Sequence, residues 1–298
     1  MEKKPKHELR LLMAMLIFGS IGVFVKNINL PSAAIVWWRT IIGSGFLALL
    51  FFLTKQPLKI QAIKNNLLLL IAAGIFLGGG WALLFASYHL TTVSIGTLLH
   101  YTAPALVFIL SPLLFQEKMT SHKVVGIVAA ILGMIIINGT GAGGSNFTLG
   151  VICALASALF YALVMILNKY LRGLSGLEST FVQLLVAMVV MATYTGITTG
   201  RLVHIPRGYE VLLMATVGIL HTGIGCYIYF SSMQELPGQT IAIMSYIDPA
   251  STLFFSALFL QERLTGFQIL GALLILGGTA FSQLAKPKER VKTPVGMD

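Results

Sequence analysis

Asp248 sits in SYIDPAS, residues 245–251, inside a stretch from Gly238 to Leu260 that is otherwise almost entirely apolar or small. A carboxyl group placed there can take up and release a proton, or, while ionised, meet a cationic amine. On a helix, i±3 and i±4 spacing gathers Met244, Ser245, Ser251 and Thr252 onto its face, a short polar stripe around Pro249. The plainer alternative is a hydrogen-bonded aspartate that only braces the helix. His100, three residues after Thr97, and His221, beside Thr222, could each line a path or relay a proton near neutral pH. Each also fits a packed, hydrogen-bonded role. Gly74, Gly78, Trp81, Phe85 and Tyr88 recur at heptad spacing, small at one end and aromatic at the other. That face suits an aromatic-lined cavity and, equally, ordinary helix packing. Sets that would do covalent chemistry are missing: the sequence has no P-loop, HExxH or GxSxG, so neither an enzyme nor a cofactor is expected. Cys153 and Cys226 fall within apolar windows without paired histidine spacing, which points to neither a disulfide nor a metal site.

The elements that must carry these residues follow from composition. With 56% hydrophobic and 10% charged residues, the chain cannot cover a water-facing surface, and the bilayer is the expected solvent. Windows long enough to cross about 30 Å of hydrocarbon recur at about 9–26, 32–54, 66–89, 91–115, 121–138, 147–168, 176–199, 209–231, 238–260 and 265–285. They are uniformly apolar rather than alternating, which excludes barrel strands and predicts an all-α polytopic membrane protein of ten transmembrane helices. The net charge of +10 does not mark a nucleic-acid binder, because its distribution is one-sided. Fifteen Lys and Arg residues fall in segments on the side of the N-terminus, four on the other side, and Arg39 within a helix. That asymmetry predicts both termini in the cytoplasm of a cell-membrane protein. The first window lacks a convincing small-residue cleavage site and is expected to remain as a span.

Shifted by 145 residues, YTAPALVFILSPLLFQEKMT (101–120) aligns with YIDPASTLFFSALFLQERLT (246–265). Tyr101 meets Tyr246, Pro104 meets Pro249 and Glu117 meets Glu262, and the register runs on to Gly126 with Gly271 and Gly133 with Gly278. The chain is a duplication. Each half carries five spans, an odd number, so the halves enter the membrane from opposite sides: two inverted five-helix repeats at 1–138 and 147–285, a linker at 139–146 (GTGAGGSN) and a basic tail at 286–298. Secondary transporters are built this way around a midplane site. Pro104 and Pro249 lack an N–H and crowd the carbonyls of His100 and Ser245, which makes both kinks candidate hinges or cavity walls, or plain packing kinks whose carbonyls a Ser or Thr meets.

These residues resemble the EamA-type transporters of the drug/metabolite transporter superfamily over about residues 10–285. QEKMT and QERLT, each followed by a glycine-rich helix (GIVAAILGMII, GALLILGGTA), carry the resemblance, with FGSIGVFVK in the first span and WWRTIIGSG in the second. The sequence departs from the family pattern at Phe18, where tryptophan is typical, and at Gln116 and Gln261, where glycine often precedes the glutamate. The resemblance implies a carrier of small metabolites, often an exporter of amino acids or related compounds, with a central cavity between the halves. It also implies a shared structural role for Arg39, which could snorkel to the interface or pair inside the bundle. Glu117 with Lys118 and Glu262 with Arg263 end spans four and nine, as interfacial anchors or gate-closing pairs. The expectation is a secondary transporter for a small organic solute, export favoured, with Asp248 and the tyrosines Tyr101, Tyr246 and Tyr88 near the path. Its partners would be substrate, membrane lipid and a coupling proton, and its small-residue faces could pack within one chain or form a homodimer. The alternative is a non-transporting membrane sensor or assembly partner.

Overall fold

Hydrocarbon offers the backbone no hydrogen-bond partner, so apolar windows must satisfy their amides internally, as helices. The computed structural model of the chain describes residues 3–55, 58–115, 121–139, 145–199, 205–233, 236 and 244–283, and among these the regular structure is helical throughout. In order the elements are α1 (Lys3–Lys26), α2 (Ser32–Thr54), the short α3 (Ile60–Asn65), α4 (Leu67–Leu90), α5 (Val93–His100), α6 (Ala103–Phe115), α7 (Ser121–Gly139), α8 (Ser145–Tyr170) and α9 (Gly176–Thr199). They continue as α10 (Glu210–Thr216), a π-helical segment (Val217–Ile224), α11 (Gly225–Met233), α12 (Ile247–Phe259) and α13 (Gly266–Gln283). Six continuous helical stretches are long and apolar enough to cross a membrane, and four shorter apolar helices fall in the remaining windows. The protein is an all-α, polytopic membrane protein of two inverted five-helix repeats.

Three windows fold differently from a continuous α-helix. The fourth is two helices, α5 and α6, separated by a turn at Tyr101–Thr102. Thr102 N and Thr102 Oγ1 both bond the Leu99 carbonyl, at 3.1 and 2.7 Å, tightening the chain just before Pro104 interrupts the ladder. A matching turn at Ser245–Tyr246 precedes α12 and Pro249. The eighth window opens into the π segment, a geometry that often marks functional sites.

Packing follows the duplication. Helices at equivalent places in the two repeats meet each other: α2 packs on α9, and α7 on α13. The α4–α8 contact in turn is mirrored by α1 against α11 and the π segment. Across α7 and α13, Gly133 faces the Gly271 carbonyl, while Gly278 faces Ala129 and the Gly126 carbonyl, the latter 3.0 Å from where a Cβ would stand. The small-residue stripes are therefore used within the chain.

Loops assigned to one side of the membrane also find one another. Asn29 N donates to Glu210 Oε1 at 3.0 Å and Tyr209 Oη to the Asn27 carbonyl at 2.8 Å. At the other face Asn66 Nδ2 donates to the Arg172 carbonyl at 3.0 Å, and Glu178 accepts from Lys59 N and Ser175 N while capping α9. Polarity is turned inward: Leu68 is 82% exposed and Ile197 80%, whereas Ser157, His221, Thr222 and Ser256 are fully buried.

Candidate functional site

The two helix breaks meet. Tyr101, in the turn of the first repeat, donates from its hydroxyl to Asp248 Oδ2, in the first turn of α12 of the second repeat, at 2.6 Å. Both side chains can reach because the chain leaves helical geometry just before each proline. Ser251 Oγ and Thr252 Oγ1 share the face with Asp248, as their spacing predicts, but both donate to its backbone carbonyl, at 2.9 and 3.0 Å. α1 approaches closely enough at Gly19 that a Cβ there would strike Ser251 and the Asp248 carbonyl.

Beside this pair, His100 Nδ1 lies 2.9 Å from Ser157 Oγ, which donates to the Gly80 carbonyl at 2.7 Å. The imidazole stacks on Tyr161, ring centroids 5.0 Å apart. Asp248, Tyr101 and His100 are half-buried, and Tyr161 beside them is 39% exposed. One void there, about 10 Å³ and close to the minimum for a single water, is lined by Phe76, Leu77, Gly80, Trp81, His100 and Tyr161.

Trp81 joins this void to a second polar cluster. The Arg39 guanidinium lies over the Trp81 ring, 3.8 Å from its centroid, and 5.5 Å from that of Phe85. Arg39 is 5% exposed, so it does not snorkel. Its Nε donates to Thr222 Oγ1 at 3.1 Å, and Thr222 in turn donates to the Val217 carbonyl, five residues back, at 2.9 Å. The π geometry thus turns Thr222 toward α2. His221 is held on both nitrogens, Nε2 2.9 Å from Ser20 Oγ and Nδ1 3.2 Å from the Thr216 carbonyl. It lies edge-on to Phe24.

The family profile of the EamA-like transporters matches the chain twice, over residues 6–139 and 148–283. The chain belongs to the EamA-like transporter family. It is 30% identical over 300 residues to the uncharacterized transporter YxxF of Bacillus subtilis (strain 168), covering 100% of this chain and 96% of that one. The uncharacterized transporter YetK of the same organism is 25% identical over 285 residues, covering 92% and 85%. A solved crystal structure superposes with a TM-score of 0.66 at 17% identity, covering 94% of this chain and 98% of its own. That likeness concerns the fold.

Within this EamA-like frame the candidate residues separate. Asp248, Tyr101 and His100 come together. Tyr88 is within electrostatic range of both Asp248 and Arg39, and its hydroxyl lies 3.0 Å from Thr97 Oγ1. Tyr246 instead lies beside Thr279 of α13, and Ser245 beside Tyr229 of α11. The heptad face on α4 divides as its composition does: Gly74 and Gly78 pack on α9, and Trp81 faces the void. Glu262 does not pair with Arg263; Oε1 accepts from Val93 N at 2.8 Å and Oε2 from Ser94 N at 3.0 Å and Ser94 Oγ at 2.8 Å, capping α5 of the opposite repeat. Lys26 caps the preceding α4 at the Tyr88 and Thr91 carbonyls. Glu117 and most of the 139–146 linker lie outside the described residues. Residues not singled out in the sequence also matter: Ser157 and Tyr161, one turn apart on α8, and Ser20 on α1. Only their polarity within apolar windows could have drawn attention to them. Cys153 and Cys226 are free thiols, and the described residues hold no cluster of potential metal ligands.

Proposed function

We propose that the protein is a secondary transporter that moves a small organic metabolite across the cell membrane by alternating access. The observation that carries this reading is the Tyr101–Asp248 bond, which ties the helix break of one repeat to the helix break of the other. A solute or proton arriving at Asp248 would compete for that bond, and breaking it would free the two repeats to rock about their prolines. Pro104 and Pro249 are then the hinges. Asp248 is the coupling group, by proton exchange or by meeting a cationic amine.

Glu262 on the α5 N-terminus closes one face in this conformation. By the 145-residue offset, Glu117 would serve the same purpose at the other face when the repeats exchange shapes. The family and its relatives support transport over an intramembrane enzyme. Amino acids or related compounds are the favoured solutes, export is the favoured direction, and the one-sided basic residues support termini in the cytoplasm. A cysteine at Ser145 would then label from outside intact cells; labelling only after permeabilisation contradicts the orientation. Flux of labelled amino acids, amines and nucleosides into proteoliposomes tests the function. Movement of at least one class, abolished in protein-free vesicles, is expected; no flux from any class would favour a sensor.

A further inference from the structure

Arg39 carries a charge that the transport reading leaves unexplained. Among the described residues no carboxylate lies within ion-pair distance of it, the one ion pair being Lys59 with Glu178. Its single hydrogen bond is from Nε to Thr222. Trp81 takes one face of the planar guanidinium. Stacking leaves the in-plane N–H groups free to donate, and the four on the terminal nitrogens have no acceptor among the described residues. The Arg39 side chain is 5% exposed, so it is nearly enclosed without being sealed off. A cation held inside a membrane protein in this way calls for a counter-charge.

We propose that Arg39 is the recognition site for the carboxylate of the transported solute, with Trp81 as the wall it shares with the space beside His100 and Tyr161. The inference rests on the transport reading above and names a substrate class for it: small organic acids, including amino acids, with an apolar body that fits between aromatic side chains. A single planar fork matches a carboxylate in geometry and charge. A phosphate dianion would leave uncompensated negative charge at membrane depth, where the nearby base His221 is already engaged on both ring nitrogens.

The test compares acids with amides of the same shape on the purified full chain: 3-phenylpropionate against 3-phenylpropionamide, and leucine against leucinamide. Thermal stabilisation at matched ionic strength reads binding. In the wild type the acids protect and the amides do not. In Arg39→Gln the advantage of acid over amide falls by at least about tenfold, the loss of a charged hydrogen-bonded pair. Arg39→Lys, which keeps the charge without the fork, retains part of that advantage and carries the comparison if the glutamine variant fails to insert. A purely structural Arg39 would lower the stability of each variant while leaving the acid–amide difference unchanged. Equal protection by acids and amides, protection by neither, or an acid advantage that survives in Arg39→Gln overturns the proposal. Proteoliposome flux separates the two readings. Acid binding without flux contradicts transport and leaves the subsite standing, whereas amides carried as fast as acids contradict the subsite and leave transport standing.

Discussion

Tyr101 and Tyr246 occupy the same place in two copies of one duplicated segment, each three residues before a proline at a helix break, and they have different neighbours. Tyr101 reaches across the molecule to Asp248, whereas Tyr246 turns toward Thr279 on the last helix. The same contrast recurs nearby. At the 145-residue offset Ala103 stands opposite Asp248 and Ser245 opposite His100. The duplication kept the prolines, the glycines and a glutamate at the end of each segment, and left Asp248 and His100 in one copy each. A two-fold frame can exchange the shapes of its halves, while a single unsymmetric site presents the same chemistry to both sides of the membrane.

The largest effect should come from breaking the frame. Gly278 packs against the Gly126 carbonyl and Ala129, while Gly277 next to it has no neighbour within 4 Å of a Cβ. Gly278→Leu forces α7 and α13 apart, at a cost of about 3 kcal/mol or more if judged by overpacked cores, and should sharply reduce the yield of folded protein on size-exclusion chromatography. Gly277→Leu should elute like the wild type. Equal yields would mean that the glycine crossing does not hold the repeats together.

Removing one hydroxyl sharpens the comparison with a smaller effect. Tyr101→Phe deletes a hydrogen bond to a carboxyl group, worth about 1.5–3 kcal/mol where charge is involved, and should change the transport rate about tenfold or more. Tyr246→Phe should stay within about twofold by the same reckoning. Similar losses in both would place the chemistry in both copies. Smaller again, Pro104→Ala and Pro249→Ala should each slow turnover severalfold while changing solute affinity less, because they stiffen hinges without touching the solute. A rise in the apparent dissociation constant with unchanged turnover would show that the prolines shape the site instead.

Much of the frame was legible in the sequence. The ten windows, the duplication and the break at each proline need only local composition and a self-comparison, because lipid forces every apolar window into a helix. Asp248 was legible for the same reason: a carboxyl group in an apolar window is conspicuous. Its partner was not. Tyr101 was visible as half of a repeated pair, but nothing in the spacing says that it, rather than Tyr246, crosses between repeats. The π segment was hidden as well, since Val217–Ile224 reads as ordinary apolar helix and only the geometry turns Thr222 to Arg39. Glu262 was read beside Arg263, its neighbour in sequence, while its partners are backbone amides 168 and 169 residues away. Interactions with the backbone leave no residue-type signal to find.

The account stands most directly on Asp248 as the coupling group. Wild type and Asp248→Asn, reconstituted in equal measured amounts, should be compared for flux of one transported solute across a series of imposed pH gradients. The amide keeps the shape of the carboxyl group and can still accept from Tyr101, but it cannot exchange a proton or carry charge. The expected result is a folded, inserted variant whose flux no longer responds to the gradient that drives the wild type. Wild-type rates with an unaltered pH response in Asp248→Asn would contradict the account and leave the carboxyl group as a brace for its helix.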